Sequence, residues 1–194
     1  SYLLVRVMNE GSNTRWYAGS GIYRHVWLIT TPSVYTDEWD LHLQPSPKSI
    51  KMSTTIYNDM DTDQSCEVSM TVLDADGKTV GNVSTNTSVE AWNEQPVALE
   101  LSLTNPALWS PEHPYLYTAV INVKNQETET TDQLVKHFGV RTLAYSATNG
   151  FLLNGESILL KGGCVHHDNG LLGAAAYDRA EVRKLSLLKA QGYS

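Results

Sequence analysis

From Tyr2 to about Ser146 apolar and polar residues alternate in short runs, the period of strands with one buried face. Ile50, Met52, Thr54 and Ile56 form one such set, and Val68, Met70 and Val72 another. Val97, Leu99, Leu101 and Leu103 alternate strictly, as do Tyr115, Tyr117, Ala119, Ile121 and Val123. Trp39, Leu41 and Leu43 alternate with Asp40 and His42, and a further strand is expected from about Gln133 to Val140. Tyr2–Met8 and Tyr23–Ile29 are also strand-like, the second being rich in aromatic and β-branched residues and closed by Pro32. Asn58 to Gln64 is polar and turn-like, and Asp74-Ala75-Asp76-Gly77 supplies a hairpin turn with an inexpensive positive φ at Gly77. Roughly seven short strands between residues 34 and 142, separated by turn signals, predict a mainly β chain built on an immunoglobulin-like antiparallel β-sandwich. The Cys…Trp…Cys spacing of antibody domains is missing, so the sandwich is expected to lack their disulfide.

The pattern then changes. Gly150–Leu160 reads as a strand, an Asn-Gly turn at Asn154-Gly155 and a second strand. Leu159-Leu160-Lys161-Gly162-Gly163-Cys164-Val165-His166-His167-Asp168 reads as a buried strand that leaves a core and delivers polar groups to an open face. A helix is expected next. Asp178 would cap it, Glu181 would complete a capping box, Val182, Leu185 and Leu188 recur at helical spacing, and Gly192 marks the stop. Strand, polar loop and helix make the opening unit of a parallel α/β domain, and about 45 residues cannot complete a barrel of ~250.

Composition narrows the function. The formal net charge is −7, and the densest basic group, Arg179, Arg183, Lys184 and Lys189, reads as the solvated face of the helix. Nucleic acid is therefore an improbable partner, since binding it needs clustered Lys and Arg. No apolar run approaches the ~20 residues that span a bilayer, so no membrane partner is expected, and the compartment stays open among cytoplasm, periplasm and exterior. Cys66 and Cys164 lie far apart and are both expected to be buried free thiols. Asn82-Val83-Ser84 and Asn86-Thr87-Ser88 match the glycosylation acceptor pattern, which has meaning only in a eukaryotic secretory host.

Five segments carry a resemblance. Arg15–Leu28 resembles the end of the sugar-binding domain of glycoside hydrolase family 2, and Asn105–Tyr117 resembles that family's immunoglobulin-like domain. Phe138-Gly139-Val140-Arg141-Thr142, Gly150–Gly155 and Lys161–Asp168 resemble the start of its catalytic barrel. The order matches too, and the His-His-Asp run with Gly170–Ala175 is most similar to the β-galactosidase branch. The resemblance implies a retaining β-glycosidase whose jelly roll ends at residues 1–32, whose sandwich occupies 33–142 and whose (β/α)8 barrel begins at 143–194. The expected partner is carbohydrate, a β-galactoside.

Retaining hydrolysis needs two carboxyl groups about 5–5.5 Å apart. In the family these are glutamates on later barrel strands, so both would lie beyond this chain, and the chain itself is expected to be inactive. Glu156 follows a turn and reads as exposed, while Asp178 and Glu181 are explained as caps. His166 matches the family histidine that contacts the innermost sugar. An imidazole can donate to a hydroxyl from one nitrogen while the other holds its orientation. Asp168 and His167 are candidates to support it, and also look like a metal pair, although neighbours at a strand end point apart. Trp16 and Arg15 fall in the loop that reaches towards the active-site mouth in the family, where a tryptophan stacks on a sugar; a packed core tryptophan is the equally weighted reading. Trp109 and Arg141 read as structure, Arg141 bridging sandwich and barrel. No cofactor is expected in this part, and the metal needs of the missing barrel are left open.

The competing reading is a stand-alone carbohydrate-binding or interaction sandwich, which would present an aromatic platform on one sheet face. The flanks, 1–32 and 143–194, carry apolar faces such as Val182, Leu185 and Leu188. They are expected to dock on the sandwich, to self-associate or to lack fixed order.

Overall fold

A computed structural model describes residues 2–8, 10, 21–166 and 169–193. It divides into two compact units, Ser1–Leu28 with Leu160–Ser194, and Ile29–Leu159.

The second unit is an antiparallel sandwich. Strands β1 (Val34–Thr36), β2 (His42–Pro45), β3 (Ser49–Asn58) and β6 (Glu94–Ser102) form one sheet, with β3 between β6 on one side and β1 and β2 on the other. Strands β4 (Gln64–Leu73), β5 (Thr79–Val89), β7 (Tyr117–Asn125) and β8 (Thr131–Phe138) form the second, in the order β5-β4-β7-β8. This is an immunoglobulin-like arrangement. A three-stranded sheet of β9 (Leu143–Ser146), β10 (Gly150–Leu153) and β11 (Glu156–Ser157) completes the unit.

The alternation read from sequence is the core. Ile50, Met52 and Ile56 on β3 face Val68, Met70 and Val72 on β4 and Ala119, Ile121 and Val123 on β7 in one buried cluster. Between Leu73 and Thr79 the expected turn forms. Asp74 accepts from Gly77 N at 3.1 Å and donates to Lys78 O at 2.9 Å, with Gly77 at φ 79°. Asn154 (φ 53°) and Gly155 (φ 86°) likewise turn β10 into β11.

Polar joints hold the ends. Thr36 N donates to Asp132 Oδ2 at 3.0 Å, and the Thr36 and Thr54 hydroxyls bond each other across the buried faces of β1 and β3. Asn125 Nδ2 donates to Gln64 Oε1 at 2.8 Å, while Asn125 Oδ1 accepts from Glu127 and Thr128 N. Every such group is paired because a buried orphan would cost about 1–3 kcal/mol.

Three expected strands are absent. Residues 2–8 and 21–29 carry no strand, nor does the run from Ile158 to His166, in which Leu159 and Leu160 are exposed. A strand exists only by sharing backbone hydrogen bonds with a neighbour. Among the described residues no other strand pairs with these runs. The second strand of the Asn-Gly hairpin accordingly stops at Ser157 rather than Leu160.

Cys66 is buried in the sandwich, whereas Cys164 is exposed, against the expectation that both are buried. Burial pushes the Cys66 thiol up to about 11, with Glu127 adding to it. The unfolded chain releases that proton near pH ~8.5. The folded state holds it, so the stability contribution is intact below that pH and is lost as pH rises towards the folded value. Alkaline weakening of roughly 2 kcal/mol by pH ~10 is expected from this group. In Cys66→Ala, urea midpoints at about pH 8 and about pH 10 should differ less than in the parent chain.

Candidate functional site

The chemistry-bearing sequence immediately precedes helix α1 (Asp178–Ala190). Asp178 does not cap it. The N-cap is Tyr177, with no side-chain cap bond, and the Asp178 carboxylate instead meets His25 Nε2 at 3.0 Å. Glu181 does not reach back to complete a capping box. Its Oε1 accepts from Asn169 Nδ2 at 2.9 Å and its Oε2 from Lys184 Nζ at 3.1 Å. These bonds, Asn169 first, hold the Glu181 carboxyl below the usual carboxylate range.

Asn169 is a loop anchor. Its Nδ2 also donates to Ala175 O at 3.0 Å, and its backbone N donates to Gly173 O at 2.9 Å. The short 3₁₀ turn Gly170–Leu172 is thereby closed, and the chain just past the His-His-Asp run is tied to the first turn of α1. At the other end Tyr193 N bonds Leu188 O at 3.2 Å and Gly192 N bonds Lys189 O at 3.0 Å, with Gly192 at φ 86°. This is the Schellman ending that the glycine predicts.

His166 lies on exposed backbone outside any strand. Arg15, Trp16, His167 and Asp168 fall outside the described residues, so they are not seen assembled with His166. Among the described residues no group of three His, Cys, Asp or Glu side chains can hold a metal ion. Glu156 is exposed, as expected. No helix among the described residues is long and apolar enough to cross a membrane.

A second constellation holds β9–β11 to the sandwich. Trp109 N donates to Val140 O at 2.8 Å, and Asn154 Nδ2 donates to Trp109 O at 3.0 Å. Asn154 Oδ1 accepts from Thr142 N at 3.0 Å, and the Arg141 guanidinium lies 4.9 Å from the centre of the Trp109 ring. Gly139 passes directly under that ring. Trp109 and Arg141 are therefore structural, as their sequence context indicates, and Arg141 serves the sandwich by stacking on Trp109. Sequence reasoning found Asn154 as a turn residue and missed its side chain's role. Asn169 and His25 were missed as well, because their partners lie 12 and 153 residues away.

A sequence profile described as glycosyl hydrolases family 2 matches residues 25–141. The chain belongs to that family. β-Galactosidase BoGH2A of Bacteroides ovatus is 38% identical over 98% of this chain and 23% of that protein. The crystal structure of a glycosyl hydrolase family 2 member from Bacteroides cellulosilyticus superposes with TM-score 0.88 at 37% identity, covering 95% of this chain and 24% of that one. A Bacteroides uniformis β-glucuronidase gives TM-score 0.75 at 25% identity over 84% of this chain and 21% of its own. The chain thus spans about a quarter of the length of these family 2 relatives. The resemblance drawn from five short segments and the mainly β fold both hold.

Proposed function

We propose that this chain is a non-catalytic part of a retaining β-glycosidase of family 2 that hydrolyses terminal β-galactosides. The observation that carries this is the 38% identity to a β-galactosidase along 98% of the chain, against 30% to a putative β-glucuronidase of Formosa agariphila over the same share. Because the likeness runs through the flanks as well as the sandwich, it favours a piece of an enzyme over a stand-alone binding module. In this reading residues 1–32 end a sugar-binding jelly roll, 33–142 form the spacer sandwich and 143–194 open the catalytic barrel.

The chain's carboxylates support its inactivity. Asp178 is engaged by His25, and Glu181 by Asn169 and Lys184. These two carboxylates are thus held by partners within the chain, in keeping with structural roles. His166 would contact the sugar, Asp168 would support it, and Arg15 and Trp16 would line the mouth. No cofactor is assigned to this part. The experiment is hydrolysis of nitrophenyl β-glycosides by a longer polypeptide that carries the rest of the reading frame. The β-galactoside should be cleaved faster than the β-glucuronide; the reverse order would reassign the sugar.

Helix α1 buries none of its residues, and Val182 and Leu185 are exposed. Such a stripe invites association. Size-exclusion chromatography should therefore show a concentration-dependent shift that Leu185→Glu abolishes; a sharp monomer at every concentration would remove self-association from this account.

A further inference from the structure

The outer face of the sheet formed by β1, β2, β3 and β6 has an order that core packing does not explain. Strand register sets its rows. Tyr35, Tyr57 and Glu94 lie side by side in the first row. His42, Ser53 and Ala98 make another, and Gln44, Lys51 and Glu100 the last. Two hollows of about 360 and 440 Å³ occupy this face and meet at Ser53 and Ala98. From Thr55 to Lys51 the trough runs about 13 Å, at ~3.3 Å per residue, and the Tyr35–Tyr57 row stands next along the same face beyond Thr55.

One end is aromatic. The Tyr35 and Tyr57 rings stack with centroids 5.4 Å apart and planes 26° from parallel. Tyr57 Oη donates to Asp40 Oδ2 at 2.6 Å, which fixes the ring and leaves a carboxylate oxygen beside it. Trp39, 86% exposed, precedes Asp40 in the link between β1 and β2. The rest is a mixture of donors and acceptors. His42, Gln44 and Lys51 can donate, while Asp40 and Glu100 accept, with Ser49 Oγ already bonded to Glu100 Oε1 at 2.6 Å. Lys51 Nζ stands 3.9 Å from Glu100 Oε2, so the far end is close to neutral.

Fixed aromatic faces followed by interleaved donors and acceptors suit a ligand with apolar ring faces and many hydroxyls. The charges restrict it further. Asp37 and Asp59 act on Tyr35, and Asp40 and Glu94 on Tyr57, so the aromatic end carries a negative field that repels carboxylated sugars. We propose that this trough binds a neutral oligosaccharide, with a pyranose ring on the Tyr35–Tyr57 pair and its neighbours extending along Ser53 towards Lys51. The site lies on the sandwich and would act without hydrolysis, holding a glycan chain near whatever cleaves it.

The test is a titration of this whole chain with β-1,4-galactotetraose and, separately, with tetragalacturonate, followed by amide NMR shifts and calorimetry. The neutral sugar should bind saturably and shift amides of β3 and β6, and the uronate should bind at least about tenfold more weakly. Tyr57→Ala should weaken the neutral sugar by about tenfold or more, as truncation of an aromatic anchor does. Ser53→Arg fills the trough from an exposed position and should block binding without touching the core, which covers the case in which Tyr57→Ala misfolds. No saturable binding, shifts confined to other strands, unchanged affinity in Ser53→Arg, or equal affinity for the uronate would each overturn the proposal. None of these outcomes bears on hydrolysis by the longer polypeptide.

Discussion

Asn58→Leu is expected to lower the stability of the sandwich by roughly 3–4 kcal/mol, one of the two largest effects foreseen for a single side chain. Asn58 is 1% exposed at the end of β3. Its Nδ2 donates to Thr62 O at 2.9 Å, Val89 O at 3.1 Å and Glu90 O at 3.0 Å, and its Oδ1 accepts from Met60 N at 3.0 Å. One amide thus fixes both the β3–β4 turn and the start of the β5–β6 link. Leucine has similar volume and no polar atom, so Met60 N–H loses its acceptor and the carbonyls of Thr62, Val89 and Glu90 each lose a donor, although Thr62 O keeps Gln64 Nε2 and Glu90 O keeps Asn93 N. Urea unfolding followed by far-UV circular dichroism measures the loss at unchanged slope. A loss below about 1 kcal/mol would show that water replaces the amide without penalty.

Gly139→Ala is expected to cost about 1–3 kcal/mol through overpacking. A Cβ at residue 139 would stand 2.8 Å from Trp109 Cβ and 2.9 Å from its Cγ and Cδ1. Trp109 cannot step aside easily, because Val140 and Asn154 hold its backbone and Arg141 stacks on its ring. The penalty should be specific to that ring. In a Trp109→Gly background, which removes Cβ, Cγ and Cδ1 together, the added methyl loses all three of these contacts, so Gly139→Ala should cost close to nothing, and the coupling energy of the double-mutant cycle should be of the same size as the single penalty. Equal costs in both backgrounds would place the strain in the backbone of residue 139 instead. Amide exchange should also show β9–β11 loosened in the single variant, since the clamp that ties them to the sandwich passes through Trp109.

The sandwich was legible because period-two burial is written in the side chains themselves. Ile50, Met52 and Ile56, or Ala119, Ile121 and Val123, sit where alternation puts them. β5 was harder to read, since Asn82, Ser84, Asn86 and Ser88 face solvent and only Val83 and Val89 give it an apolar side. Tyr2–Met8, Tyr23–Ile29 and Leu159–Leu160 have strand composition without strand structure. Composition records what a strand tolerates and says nothing about whether a neighbour supplies hydrogen bonds. The same limit governs the site. A capping box is a local pattern, yet His25 claims Asp178 and Asn169 claims Glu181, and no spacing rule foretells either. His166 was picked out only by its match to a family position. Its sequence context promised a strand end, and the structure gives exposed coil.

We propose that this chain carries scaffold and sugar contacts of a family 2 glycosidase, with the reacting carboxylates elsewhere in the enzyme. The most direct measurement is release of nitrophenol from the β-galactoside by this chain alone and by the longer polypeptide, at equal molar concentration. Turnover is expected from the longer polypeptide and none above the uncatalysed rate from this chain. Turnover by this chain, retained after purification to homogeneity and lost in Glu181→Gln or Asp178→Asn, would contradict it.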